Sequence, residues 1–189
     1  HHLFYFGAVA QEGGVEVAGR TDEVRERFYA VSVERLLQHP AIVAIVGVQT
    51  SGSHGIPVGF AVEHLERGDL LGVLAQRGGS AASHLTFMDA AIIVERVGSA
   101  VAYLASRRVV HRNIRADNVL IGATSEAVRL TGFNTARNVL EGDYVATHPA
   151  AGSDDAPRLE RWCAPEVIAS GVSSHAGDVW GMGVLMFEI

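Results

Sequence analysis

The sequence predicts an α+β fold in two lobes: a small antiparallel sheet with one helix, followed by a mainly helical lobe. Three observations carry this. Short apolar runs punctuated by glycine fill much of residues 1–62, the character changes after ERGD at 66–69, and residues 85–108 read as a long helix. The natural cut lies near 64–68, so the expected lobes are 1–65 and 66–189.

Each element has its own signal. LFYFGAVA (3–10) and VEVAG (15–19) read as strands joined around QEGG, a paired-glycine turn. TDEVRERFYAVSVERLLQH (21–39) opens on Thr21 as an N-cap, with Asp22 and Glu23 in the first turn and helical apolar spacing through Leu37. IVAIVGV (42–48) and IPVGFAV (56–62) are strands on either side of SGSHG, a loop by composition. In the second lobe, Thr86 and Asp89 have capping-box spacing, and the helix that follows is apolar on most of its circumference. NVLIG and AVRLTGF (118–122 and 127–133) read as a hairpin around ATSE. Residues 134–160 read as an irregular loop, and Pro165 suits the first turn of a short helix. The last apolar helix stops in mid-pattern without cap or breaker, which predicts that the sequence continues in a longer chain.

The bulk numbers narrow the function. The chain has 189 residues, 48% hydrophobic and 19% charged, with a net charge of −6. That describes a globular protein and argues against nucleic acid or an anionic membrane surface as partner. AIVAIVGV (41–48) is too short to cross a bilayer, no membrane segment is expected, and no targeting leader is readable. The single cysteine, Cys163, excludes an internal disulfide, suits a reducing compartment and reads as a small buried residue. The histidines have no metal-ligand spacing. All fifteen basic residues are arginine, so any mechanism that needs a lysine ammonium is closed to this chain acting alone.

Five stretches carry chemistry: FAVEHLERGDLLGVL (60–74), VVHRNIRADNVLIG (109–122), VRLTGFNTARNVLEGDY (128–144), RWCAPEVI (161–168) and SSHAGDVWGMGVLMFEI (173–189). In this order and spacing they resemble the protein kinase signature set, tyrosine kinase branch: hinge, catalytic loop, Asp-Phe-Gly element with activation loop, Ala-Pro-Glu segment and core helix. The resemblance starts at about the second strand, without the Gly-rich loop, and ends within the core helix. It implies ATP and Mg²⁺ as cofactors, an intracellular location, and adenine held between Val62, the Glu63 to Leu65 connection and Leu120. It also places His111 and Phe133 in a packed spine and Asp178 under the catalytic-loop backbone. Glu166 would pair with an arginine outside this sequence. Tyr144 falls near the usual phosphosite, where Arg112 or Arg137 could hold its phosphate; the plainer reading is a loop tyrosine.

The charged positions of that pattern are replaced. Ala18 stands at the phosphate-binding lysine position, with Arg20 two residues on. The partner glutamate position falls on Ala30, one turn before Glu34. Gly132 replaces the metal-binding aspartate, and Asn134 the glycine of that element. Asn118 keeps one amide oxygen for a metal or a phosphate, or else bonds nearby backbone; the adjacent Asp117 is expected to point away. Asn113 occupies the base position, where a neutral amide cannot accept a proton; loss of a general base costs about 10²–10⁴ in rate. Loss of the metal anchor and the lysine removes the electrostatic contribution as well. The sequence therefore predicts a pseudokinase, a scaffold or allosteric regulator whose partners are proteins, an active kinase among them. Two rivals are a weakly active ATP-dependent tyrosine kinase using Asn118 and Arg20, and an ATP-binding switch without chemistry.

Overall fold

The computed structural model describes residues 4–5, 37–51, 56–76, 85–124, 126–139, 144–145 and 160–189. The expected strand at 15–19, nearly all of the helix at 21–39, and Ala18, Arg20, Ala30 and Glu34 lie outside the described residues.

The first sheet has the order β1-β3-β2, from β1 (Phe4–Tyr5), β2 (Ile45–Ser51) and β3 (Ile56–Val62). Both pairings are antiparallel; β2 and β3 pair from Ile45 opposite Val62 to Ser51 opposite Ile56, with the register shifting between Ile45 and Gly47 and again between Gln49 and Thr50. The expected strand at 42–48 begins later than its apolar run does. Residues 41–43 instead reach across to the other half of the molecule: Leu130 N donates to Ala41 O at 2.8 Å, and Val43 N to Leu130 O at 3.0 Å. Ala41, Ile42 and Val43 are buried there, which accounts for the continuous apolar pattern without a strand.

After Leu65 the chain makes β4 (Gly68–Asp69) and α1 (Leu70–Ala75), a short helix that the sequence reading did not separate from the hinge. Asp69 caps it, accepting from Gly72 N at 2.7 Å. The long helix α2 (Phe87–Ser106) has the expected capping box: Thr86 Oγ1 accepts from Asp89 N, and Asp89 Oδ2 accepts from Thr86 N. Its buried stripe, Ile93, Val97, Ala100, Val101 and Leu104, follows the i, i+4, i+7 spacing that puts side chains on one face.

That stripe is the centre of the core. Against it lie β5 (Val109–Val110), the β6–β7 hairpin (Val119–Ile121 and Val128–Leu130) and α4 (His175–Glu188). The hairpin is shorter than its expected bounds because residues 116–118 form a 3₁₀ turn. Leu70, Val97, Leu104, Val119, Val128, Leu130 and Leu185 have no exposed surface. The expected irregular loop at 134–160 needs correction. A 3₁₀ turn covers Phe133–Thr135, β8 (Arg137–Asn138) pairs with β5, and β9 (Tyr144–Val145) pairs with β10 (Ser173–Ser174). Two-residue strands leave no periodicity to read; the partners across the sheet define them.

α3 (Pro165–Ser170) has proline in its first turn, as expected, and ends at Gly171 in the left-handed region, φ 69°. Ser174 caps α4, which buries Asp178, Gly181 and Leu185 while Val179, Trp180, Met186 and Phe187 stay exposed.

Candidate functional site

The loop from His111 to Asn118 is held from below by one carboxylate. Asp178, 3% exposed in the first turn of α4, accepts from His111 N at 2.7 Å and from Arg112 N at 2.8 Å. Arg112 takes a left-handed φ of 70°, which turns the two successive amides towards that single acceptor group. Burial pushes Asp178 up to about 6, with the two amide bonds opposing.

His111 is completely buried and meets Phe133 edge to face, centroids 4.7 Å apart. Its Nε2 lies 2.9 Å from Thr131 O, a carbonyl, and its Nδ1 accepts from Asn113 N at 3.3 Å. One nitrogen must donate and the other accept, which defines the neutral Nε2–H tautomer. Burial lowers its pKa to about 4, with the Thr131 bond opposing and Arg112 adding to the fall. Such an imidazole packs; it is not placed to shuttle protons at neutral pH.

Arg112 donates through Nε to Thr135 O, while Thr135 Oγ1 donates to His111 O at 3.0 Å, tying the loop to the turn after Phe133. Tyr144 sits on β9 in register opposite Ser174. A second support was not visible as such in the sequence. Arg115 pairs with both oxygens of Asp117 and lies 4.2 Å above the Trp162 ring. Trp162 Nε1 donates to Glu188 Oε1 at 2.9 Å, and Glu188 Oε2 accepts from Ala116 N at 3.1 Å. Trp162 and Asp117 stand within the quoted stretches, but the part of Glu188, 72 residues from Ala116, had no local signal.

The two positions that would face a cation lie against each other. Gly132, at φ 83°, packs on the Asn118 carboxamide, whose Nδ2 donates to Asn113 O at 2.8 Å. Thr131 N donates to Asn118 O at 2.9 Å, so backbone and side chain of Asn118 join the two segments. Magnesium asks for hard, anionic oxygens in near-octahedral order. Here Gly132 offers no side-chain ligand, Asp117 is engaged by Arg115, and Asn118 leaves one neutral oxygen. Among the described residues no group of three or more His, Cys, Asp or Glu is placed to hold a metal. These residues do not fit a magnesium ion.

At the hinge, Val62 is buried at the end of β3 and Leu65 is buried beyond it. Glu63 N donates to Ala44 O at 2.9 Å, and its Oε1 accepts from Ala44 N at 2.9 Å and Arg129 Nε at 3.2 Å. Leu120, half-buried on β6, pairs with Asp69 and Arg129. Cys163 is buried, and Glu166 is exposed on α3.

A small antiparallel sheet, a hinge, and a helical half that holds a catalytic-type loop on a buried aspartate define a kinase-type domain. The chain belongs to the protein tyrosine and serine/threonine kinase family, whose pattern matches residues 16–189. It is 32% identical over 173 residues to Ephrin type-A receptor 4-A of Xenopus laevis, covering 91% of this chain and 16% of that protein. Ephrin type-A receptor 8 of Homo sapiens is 33% identical over 173 residues, 91% of this chain and 16% of the receptor. Tyrosine-protein kinase Src64B of Drosophila melanogaster is 31% identical over 159 residues, 84% of this chain and 26% of that kinase. The chain thus spans 16% to 26% of the length of these relatives. The fold is a tyrosine kinase-like domain, of a family that generally binds ATP and Mg²⁺.

Proposed function

We propose that this domain is a pseudokinase: it transfers no phosphate and works by binding and regulating other proteins, an active kinase among them. The observation that carries the reading is the neutrality of the site, with Asn113 at the base position and Gly132 at the metal position of a chain without lysine. Phosphoryl transfer depends almost wholly on positioning and charge neutralisation, so these losses compound. The framework that holds the loop, from Asp178 to His111 and Phe133, is intact, which suits a surface for partners better than a decayed fold. The domain would act inside the cell, and none of its described helices is long and apolar enough to cross a membrane.

The test is radiolabelled ATP with a tyrosine-containing polymer as acceptor. The expected result is no transfer above a protein-free control, for the wild type and for Asn113→Asp. Restoring the base is worth about 10²–10⁴ only where metal and phosphate contacts already exist. Steady transfer by the wild type, lost in Asn118→Ala, would establish the weak kinase instead. Millimolar ATP, with or without Mg²⁺, is expected to leave the melting temperature unchanged; a rise without transfer would identify a nucleotide switch.

A further inference from the structure

We infer that Gly132 and Asn118 form a metal-free staple: the Asn118 carboxamide occupies the place a side chain at 132 would need, and holds the catalytic loop against the following turn. The inference rests on the reading of the site as catalytically silent and extends it. The site has been closed by protein atoms as well as stripped of charge.

A Cβ added at Gly132 would lie 2.5 Å from Asn118 Cγ, 2.5 Å from Oδ1 and 2.8 Å from Nδ2. Those are overlaps, not contacts. The carboxamide is not the loose end of a flexible chain that swings away at no cost. Its Nδ2 donates to Asn113 O at 2.8 Å, and the Asn118 backbone carbonyl accepts from Thr131 N at 2.9 Å, one residue before the glycine. Asn118 therefore reaches the loop with its side chain and the 131–132 segment with its backbone. Gly132 permits this twice over, by lacking a Cβ and by taking φ 83° without penalty. An aspartate returned to 132 would meet the amide before it met a cation. Position 132 is thus constrained by a neighbour's side chain, and the exchange of carboxylate for glycine is a structural commitment.

A double-mutant cycle on the purified domain tests this, with Gly132→Ala, Asn118→Ala and the double variant melted in EDTA. Left-handed backbone strain from alanine at 132 is common to both arms and cancels, leaving the steric coupling between the two side chains. Gly132→Ala is expected to lower the melting temperature by about 4 °C or more when Asn118 is present. The fall should be less than half as large in the Asn118→Ala background. Equal falls in both backgrounds would overturn the staple. Should Gly132→Ala not fold, recovery of a cooperative melt in the double variant supports the staple. A double variant that stays unfolded while Asn118→Ala folds would refute it. Gly132→Asp supplies a second readout: its melting temperature should not respond to millimolar MgCl₂, and a magnesium-dependent rise would show that the position is open to a cation. None of these arms measures transfer. Loss of the coupling with transfer still absent removes the staple alone, whereas transfer with the coupling intact removes the silent reading alone.

Discussion

His111 and Asp178 face one another across a single backbone amide, and their titrations oppose. Burial lowers His111 from 6.5 to about 4, so its contribution to stability is full above 6.5 and is lost as pH falls through about 4. Asp178 is raised from 3.8 to about 6, so its contribution is full below 3.8 and is lost as pH rises through about 6. Between pH 4 and 6 the first slope rises with pH and the second falls, and the wild type hides both. Arg112, the other charge at the pair, acts to lower both pKa values. His111→Gln removes only the rising slope. Denaturant melts at pH 4, 5 and 6 should show the gap between wild type and variant widening with pH, by up to about 1.4 kcal/mol per unit. A constant gap would mean that the imidazole is not held neutral. Both residues were legible from their place in the motifs, because the bonds that fix them are short-range or belong to a widely spaced but recurrent pattern. Glu188 was not legible: its bonds to Trp162 and Ala116 depend on how α4 crosses the loop, which no local spacing encodes.

Of the three glycines of the helix α4, local sequence cannot tell Gly181 and Gly183 apart. A Cβ at Gly181 would lie 3.2 Å from Ile114 O and 3.3 Å from Ile114 Cβ, tighter than ordinary packing against a loop pinned by Asp178. A Cβ at Gly183 meets nothing within 4 Å. In a helix interior alanine is favoured over glycine by about 0.8–1 kcal/mol. Gly183→Ala should therefore stabilise by roughly that amount. Gly181→Ala should destabilise by about 1–3 kcal/mol, because the helix must move off the loop to admit the methyl. Chemical denaturation of the two variants checks the pair, and two stabilising substitutions would mean that the loop yields freely. Element legibility follows the same division. α2 was readable to within two residues at each end, from its capping box and apolar period. The strands β5, β8, β9 and β10 were invisible because each has two residues and exists only through its partner.

At the scale of the molecule, residues flanking the sheet of β2 and β3 tie it to the helical half through polar contacts. The order and kind of the longer described elements, β2, β3, α2, the β6–β7 hairpin, α3 and α4, were readable because apolar periods and turn residues agree there. How one half grips the other was not, since it rests on pairs such as Glu63 with Arg129, 66 residues apart. Residues 41–43 bond to Leu130 by backbone, and His39 stacks on Tyr103 at 4.9 Å with Ser99 Oγ 3.2 Å from its Nε2. Glu63 ties Arg129 of β7 to Ala44, the residue before β2, since its Oε1 takes both Ala44 N and Arg129 Nε. Its side chain is 31% exposed and that of Arg129 23%, so solvent screens the ion pair and the amide bond carries much of the effect. Glu63→Ala leaves the Ala44 amide and the guanidinium to find water, and should cost about 1–2 kcal/mol. The loss should be local: the 41–43 clamp and the α2 stripe do not depend on Glu63. Native-state hydrogen exchange on the variant should speed at the amides of 45–51 and 56–62, while those of 93–104 and 119–130 keep wild-type protection. Uniform acceleration across both sets would show that the two halves open as one unit, and that Glu63 holds the whole molecule and not a hinge.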